Sequence, residues 1–231
     1  MIYIVGDSHV SVFSGVDLSK NGLRHMQPEF GTCYTLSQGQ LRNVISKFEQ
    51  NIPHFLAIKV GSHTAYNSIN KVQKIEQVIK EYKINKNDYL FLSFGQIDIQ
   101  NHLVKNSIKN NVSLSDTIDN CIERYGKTIK YLKSNYPDLR LGIYTPPATS
   151  IGCGNNPIIS TKESIKINNI TFEFNEKLKI LANKLNILYK DISTNLVLDN
   201  GLTDNKFVLD DIHLSQEAMP LIMKEFKDLI K

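Results

Sequence analysis

The stretch IYIVGDSHV, residues 2–10, decides the fold. Ile2, Tyr3, Ile4 and Val5 are β-branched or aromatic and too few for a helix, and they run straight into Gly6-Asp7-Ser8. That is a buried strand entering a tight turn. Similar runs follow at Phe55–Val60, Tyr89–Phe94, Leu139–Tyr144 and, more weakly, Ile187–Asp191. Between them apolar residues recur at three- and four-residue intervals, as on one face of a helix. Leu41, Val44, Ile45 and Phe48 form one set; Ile75, Val78, Ile79 and Tyr82 a second. Ile118, Ile122, Tyr125, Ile129 and Leu132 form a third, and Phe174, Leu178, Leu181 and Leu185 a fourth. A last helix is expected from Ser215, its N-cap, with Ala218, Leu221, Ile222, Phe226 and Ile230 inward.

Apolar strands alternating with helices predict a parallel sheet covered on both faces. With right-handed crossovers, this becomes a three-layer α/β/α sandwich around a five-stranded parallel sheet. Two polar, Gly/Pro- or Asn-rich segments, 101–115 and 146–161, read as irregular rim loops. Each follows a strand, so both should overhang the carboxyl edge of the sheet, where open α/β folds bind ligands.

The 231 residues suit one domain, residues 1–231, with no repeat or linker-like tract. Hydrophobic residues at 41% and charged residues at 22% match soluble globular chains and argue against disorder. The net charge is +4, but the lysines alternate with Glu, Asp and Asn along helix-patterned stretches. That pattern reads as solvated faces, not a nucleic-acid surface, although an anionic glycan is compatible. Cys33, Cys121 and Cys153 are odd in number and form no CxxC, which suits a reducing, cytoplasmic setting. No apolar stretch is long enough to span a membrane, and residues 1–10 have no signal-peptide pattern. Oligomeric state is not legible.

Two motifs carry chemistry. Gly6-Asp7-Ser8 puts a hydroxyl in the first strand-to-helix turn, where helix amides point at bound groups. A serine there can be activated by a base while its own N–H meets an oxyanion. The blander reading is a helix cap. LDDIHLS, residues 209–215, places Asp210 three residues before His213. On a turn, that spacing lets a carboxylate hold Nδ1–H and leave Nε2 to take a proton. Asp211 is the adjacent alternative, and an Asp/Ser cap beside a surface histidine is the blander one.

Together, an early GDS and a late DxxH in a parallel α/β chain resemble the SGNH/GDSL hydrolase superfamily, over nearly the whole chain and in order. The resemblance implies a flavodoxin-like fold without a cofactor or bound metal, with Ser8 as nucleophile and His213 and Asp210 as base pair. It also implies an oxyanion hole built from the N–H groups of Ser8 and Gly61. The segment FGQIDIQNH, residues 94–102, falls at the third conserved block, Gly-x-Asn-Asp. Gly95 and Asp98 match, but Ile97 replaces the asparagine donor. A bacterial subgroup tied to surface-polysaccharide regions reads GEIDCRxH here and is similar, including His102; its Glu and Arg are Gln96 and Gln100 in this chain. The NNP…FNEKL…D run is similar to that subgroup too. Asp7, Gly95 and Asp98 are expected to be structural. His9 (where the GDSL form has Leu), His63, Gln96, Gln100 and His102 are substrate-binding candidates, whereas His25 and His54 read as bland.

The expected activity is a serine esterase or O-acyltransferase acting on a small-molecule or glycan ester, an acetyl ester of a carbohydrate foremost. Two other readings compete. GDSH also fits a metallophosphoesterase opening, with Asp7 and His9 on a metal, but position 96 is Gln and no GNH follows. A non-catalytic glycan-binding descendant would account for Ile97, but it would have no use for Ser8, Asp210 and His213 in that order.

Overall fold

The computed structural model describes residues 1–14, 54–150, 160–209 and 212–230 in full, and residues 16–19, 22–26, 31–37 and 40–43 as strand backbone. Its strands are β1 (Ile2–Gly6), β2 (Val16–Ser19), β3 (Gly22–Met26), β4 (Gly31–Ser37), β5 (Gln40–Asn43), β6 (Phe55–Lys59), β7 (Tyr89–Ser93), β8 (Arg140–Tyr144) and β9 (Leu188–Lys190). The helices are α1 (Val72–Glu81), α2 (Leu103–Asn110), α3 (Leu114–Asn135), α4 (Thr161–Leu185), α5 (Ser193–Leu196) and α6 (Met219–Glu225).

All five predicted strands form, as β1, β6, β7, β8 and β9, and pair in parallel. Numbered among themselves in chain order they lie 2-1-3-4-5, the flavodoxin arrangement. The chain goes one way from β1 to β6 and then crosses back over β1 to β7. Above the carboxyl ends of these three strands a crevice must open, because successive connections leave in opposite directions. Two strands not anticipated extend this sheet: β4 runs parallel to β6, and β5 returns antiparallel to β4 at the edge. A separate hairpin joins β2 to β3.

Alternation along the strands divides the interior into two cores. Val5, Ile58, Leu92 and Ile143 face α1, α3 and α4. Ile4, Ala57 and Phe91 face the other way, onto the Ser8–Ser14 3₁₀ turn and the C-terminal helix. On that second face the Phe226 ring meets Phe91 at 5.0 Å, Phe55 at 5.2 Å and Phe13 at 6.2 Å, edge to face. Gln216 Nε2 donates to the carbonyl of Val12 at 2.7 Å. The two ends of the chain are thereby packed on one side of the sheet.

Three local expectations need correction. Leu41 lies in β5, opposite Leu36, and not on a helix; Val44, Ile45 and Phe48 fall outside the described residues. Pairing at the sheet edge overrides a helical period of only a few residues. The polar segment 101–115 is not a loop: a π-turn at Asp98–His102 leads into α2, and Ser113 caps α3 by accepting from Asp116 N–H. Leu103 is the one residue of α2 that is buried, so no apolar period marks that helix. Ser215 precedes a 3₁₀ turn, Gln216–Ala218, and its hydroxyl donates to Lys206 O instead of capping. The regular helix α6 begins only at Met219.

Phe226 fills the junction between the ends of the chain, its ring against Phe13, Phe55 and Phe91. Truncation by Phe226→Ala should therefore cost about 3–5 kcal/mol. Urea denaturation followed by circular dichroism measures this; a loss under 1 kcal/mol would mean that the junction collapses around the gap.

Candidate active site

Three strand ends converge on the crevice. Gly6 closes β1, and a β-carbon there would collide with the carbonyl of Ser93 at the end of β7. Only glycine lets the strands stay this close while the chain turns into Ser8. After β6, Gly61 has φ +94°, a backbone setting that side chains resist. After β7, Gly95 has φ +128°, and a β-carbon would lie 2.6 Å from the Phe174 ring.

His213 reaches the crevice from the far end of the sequence. The carbonyl of His213 accepts from Leu209 N–H at 2.8 Å, and Ser215 N–H donates to Phe207 O at 2.8 Å. A bridge between Val208 and Leu214 closes the same tight turn. His213, whose carbonyl closes this turn, holds Nε2 2.9 Å from Ser8 Oγ, across 205 positions of sequence. Asp210 and Asp211 lie outside the described residues. Neither the Ser8 nor the Gly61 backbone N–H donates to another backbone or side-chain group among the described residues.

The neighbours divide by role. Asp7 Oδ1 accepts from both the backbone N–H and the Nδ1–H of His9, each at 2.9 Å. These two side chains, which a metal-binding opening would use, are hydrogen-bonded to each other through Nδ1 and Oδ1. His9 lies against the ring of His213 instead of lining open solvent. His63 is buried beside Gly61, and among the described residues neither ring nitrogen meets a hydrogen-bond partner. Burial, reinforced by Lys71 and Lys74, pushes its pKa down to about 4, so it stays neutral.

Asp98 is buried and accepts from Ala65 N–H at 2.6 Å and Tyr66 N–H at 3.3 Å, tying the turn after β6 to that after β7. Burial pushes its pKa up to about 6, partly offset by those two amides and by the Cys121 thiol. Among the described residues, buried Gln96 finds no partner for either amide atom, and Gln100 none for its buried Nε2. Ile97 is half-buried and offers no donor. His102 is exposed and lines a cleft of about 330 Å³ with Thr64, Asn67, Asp98 and Asn120, a cleft that Ser8, Gly61 and His213 do not line.

Two buried asparagines that sequence reading did not single out as site residues fix the loop after β8. Asn168 bonds Thr149 N–H, Thr149 O and Gly201 O; Asn175 donates to Pro146 O and to the Ser193 hydroxyl. Asn175 belongs to the FNEKL run, so its position among apolar helix residues was the available signal. Residues 151–159, with Cys153 and the NNP triplet, fall outside the described residues, and Cys33 and His25 are described only as strand backbone. Cys121 is a buried free thiol, which burial and the Asp98 carboxylate both push towards its protonated form.

Comparison with known proteins agrees with this layout. A family model described as GDSL-like Lipase/Acylhydrolase matches residues 2–226. No curated protein matches the chain by sequence. Among solved structures, a GDSL-like lipase from Bacteroides thetaiotaomicron superposes with TM-score 0.56 at 11% identity, covering 99% of this chain and 86% of that one. Phospholipase A1 from Streptomyces albidoflavus gives 0.51 at 13% identity, with 97% and 98% covered. A Geobacillus acetyl-xylooligosaccharide esterase gives 0.51 at 14% identity, with 98% and 92% covered. At these identities the superpositions establish the fold. Among the described residues, no helix is long and apolar enough to cross a membrane.

The shifts at Asp98 and His63 have opposite consequences for stability. Asp98 titrates higher folded than unfolded, so its contribution is full below about pH 4 and is lost as pH rises through 6. His63 titrates lower folded, so its contribution is full above 6.5 and is lost as pH falls towards 4. The stability advantage of the native chain over Asp98→Asn should therefore shrink between pH 4 and 6, and that over His63→Gln should grow. Urea midpoints at pH 4, 5, 6 and 7 measure both; pH-independent differences would contradict the assignment.

Proposed function

The chain belongs to the GDSL-like lipase/acylhydrolase family, and from that premise we propose that it is a serine-dependent esterase or O-acyltransferase working through an acyl-enzyme on Ser8. One observation carries this reading: the 2.9 Å approach of His213 Nε2 to Ser8 Oγ. At that distance the imidazole can take the hydroxyl proton as the oxygen attacks.

His213 Nε2 removes the Ser8 proton while Oγ adds to the ester carbonyl carbon. The carbonyl oxygen becomes an oxyanion, met by the N–H groups of Ser8 and Gly61. The protonated His213 then hands its proton to the leaving alkoxide as the carbon–oxygen bond breaks. Water or a sugar hydroxyl, deprotonated by His213, attacks the acyl-enzyme, and Ser8 recovers its proton when the product acid or ester departs. Asp210, three residues before His213, is the proposed partner for Nδ1–H. Ile97 leaves the third oxyanion position of the family pattern without a side-chain donor. A missing donor of that kind costs on the order of 2–4 kcal/mol in other hydrolases, so turnover should sit low for the family.

An acetyl ester on a carbohydrate is the proposed substrate class. The similarity of the third block to a polysaccharide-associated subgroup and the fold shared with an acetyl-xylooligosaccharide esterase both support it. Asp7, Gly95 and Asp98 are assigned the structural role of holding the turns, on the bonds and close approaches described above.

A panel of p-nitrophenyl esters of increasing chain length, with and without sugar acceptors, tests the reading. Acetate should be turned over fastest, and acceptor-dependent acyl transfer would mark a transferase. Ser8→Ala should lower kcat at least about 10³-fold, and His213→Ala about 10²–10⁴-fold. Turnover surviving in Ser8→Ala would remove serine from the nucleophile role.

A further inference from the structure

His9 follows the candidate nucleophile directly, and its ring is held more tightly than a pocket wall requires. The side chain is 5% exposed, and that of Asp7 beside it 1%. One carboxylate oxygen, Asp7 Oδ1, accepts two hydrogen bonds from this single residue, the backbone N–H and the ring Nδ1–H. Bonds at both the root and the edge of a side chain fix its torsions. The immobilised ring lies face to face with His213, its centroid 4.7 Å away and its plane inclined by 24°.

We propose that His9, clamped by Asp7, is a positioning residue that sets the plane of the His213 imidazole for proton transfer from Ser8. Hydrogen bonds in the plane of an imidazole place its edge atoms and resist tilting of the plane only weakly. A flat ring on its face opposes that tilt and keeps the Nε2 lone pair aimed at Oγ. The contact needs an aromatic plane: the leucine that the GDSL pattern has at this place fills similar volume but offers no flat face. His9 Nε2, buried and without a partner among the described residues, is consistent with a ring selected for its face and its Nδ1 bond. The inference rests on the Ser8–His213 reading above.

The experiment compares His9→Leu, His9→Phe and Ser8→Ala with the native chain. It follows the rate of fluorophosphonate labelling at Ser8, kcat and KM for p-nitrophenyl acetate, and the thermal midpoint. Labelling reports activation of the hydroxyl by His213 without requiring the natural substrate. His9→Leu should slow labelling and kcat about 10- to 100-fold with KM unchanged, the penalty expected of a misaimed base. His9→Phe, which restores a flat ring without the Nδ1 bond, should recover most of that loss. Native-like rates in His9→Leu, or a His9→Phe variant as slow as His9→Leu, would overturn the positioning role. Should His9→Leu fail to fold, His9→Gln removes the ring while keeping a polar side chain, and the same loss is expected. Labelling or turnover retained in Ser8→Ala would overturn the Ser8–His213 reading, and this inference with it. An inert Ser8→Ala beside a native-like His9→Leu would overturn the inference alone.

Discussion

The arrangement depends on the docking of the chain's last segment against its first turn, on one face of the sheet. Phe226 inserts among Phe13, Phe55 and Phe91, and Gln216 bonds the Val12 carbonyl a few residues beyond Ser8. The aromatic cluster supplies non-directional burial, and the amide bond supplies register. Without both, a histidine 205 positions away would have no reason to meet a particular hydroxyl. The tight turn between Leu209 and Ser215 converts that docking into a defined side-chain position, because the bond from Leu209 N–H to the His213 carbonyl and the Val208–Leu214 bridge fix the backbone on either side of the imidazole.

Around that junction, glycines and buried carboxylates do different work. Gly6, Gly61 and Gly95 let three strand ends approach and turn where a β-carbon would clash or strain the backbone. Asp98 cross-links the turns after β6 and β7 through backbone amides, and Asp7 spends its oxygen on His9. The Asp98 carboxylate thus holds the two turns together, and Asp7 Oδ1 holds the residue next to the candidate nucleophile.

The fold was largely legible because strand and helix periods are local. The five predicted strands were recoverable from short apolar runs alone. What escaped the reading was structure whose cause lies elsewhere in the molecule. Leu41 joins β5 because β4 offers it a partner, and α2 forms with a polar face because Leu103 alone docks on the core. The same holds for the site residues. Ser8, Gly61 and His213 stand out in motifs, but the pairing of Asp7 with His9, and the stack of His9 on His213, depend on which faces the turns present. Nothing in the order of the residues announces either contact.

By itself, then, the sequence determined the parallel three-layer architecture, the order of the motifs along the chain and the chemical types available at each turn. These follow from the spacing of apolar residues and from glycine's freedom of backbone. Only the tertiary structure decided that His213 lies 2.9 Å from Ser8, that His9 stacks on it, and that His102 lines a separate cleft. Those outcomes are set by the packing of side chains far apart in sequence, whose meeting depends on the whole folded core.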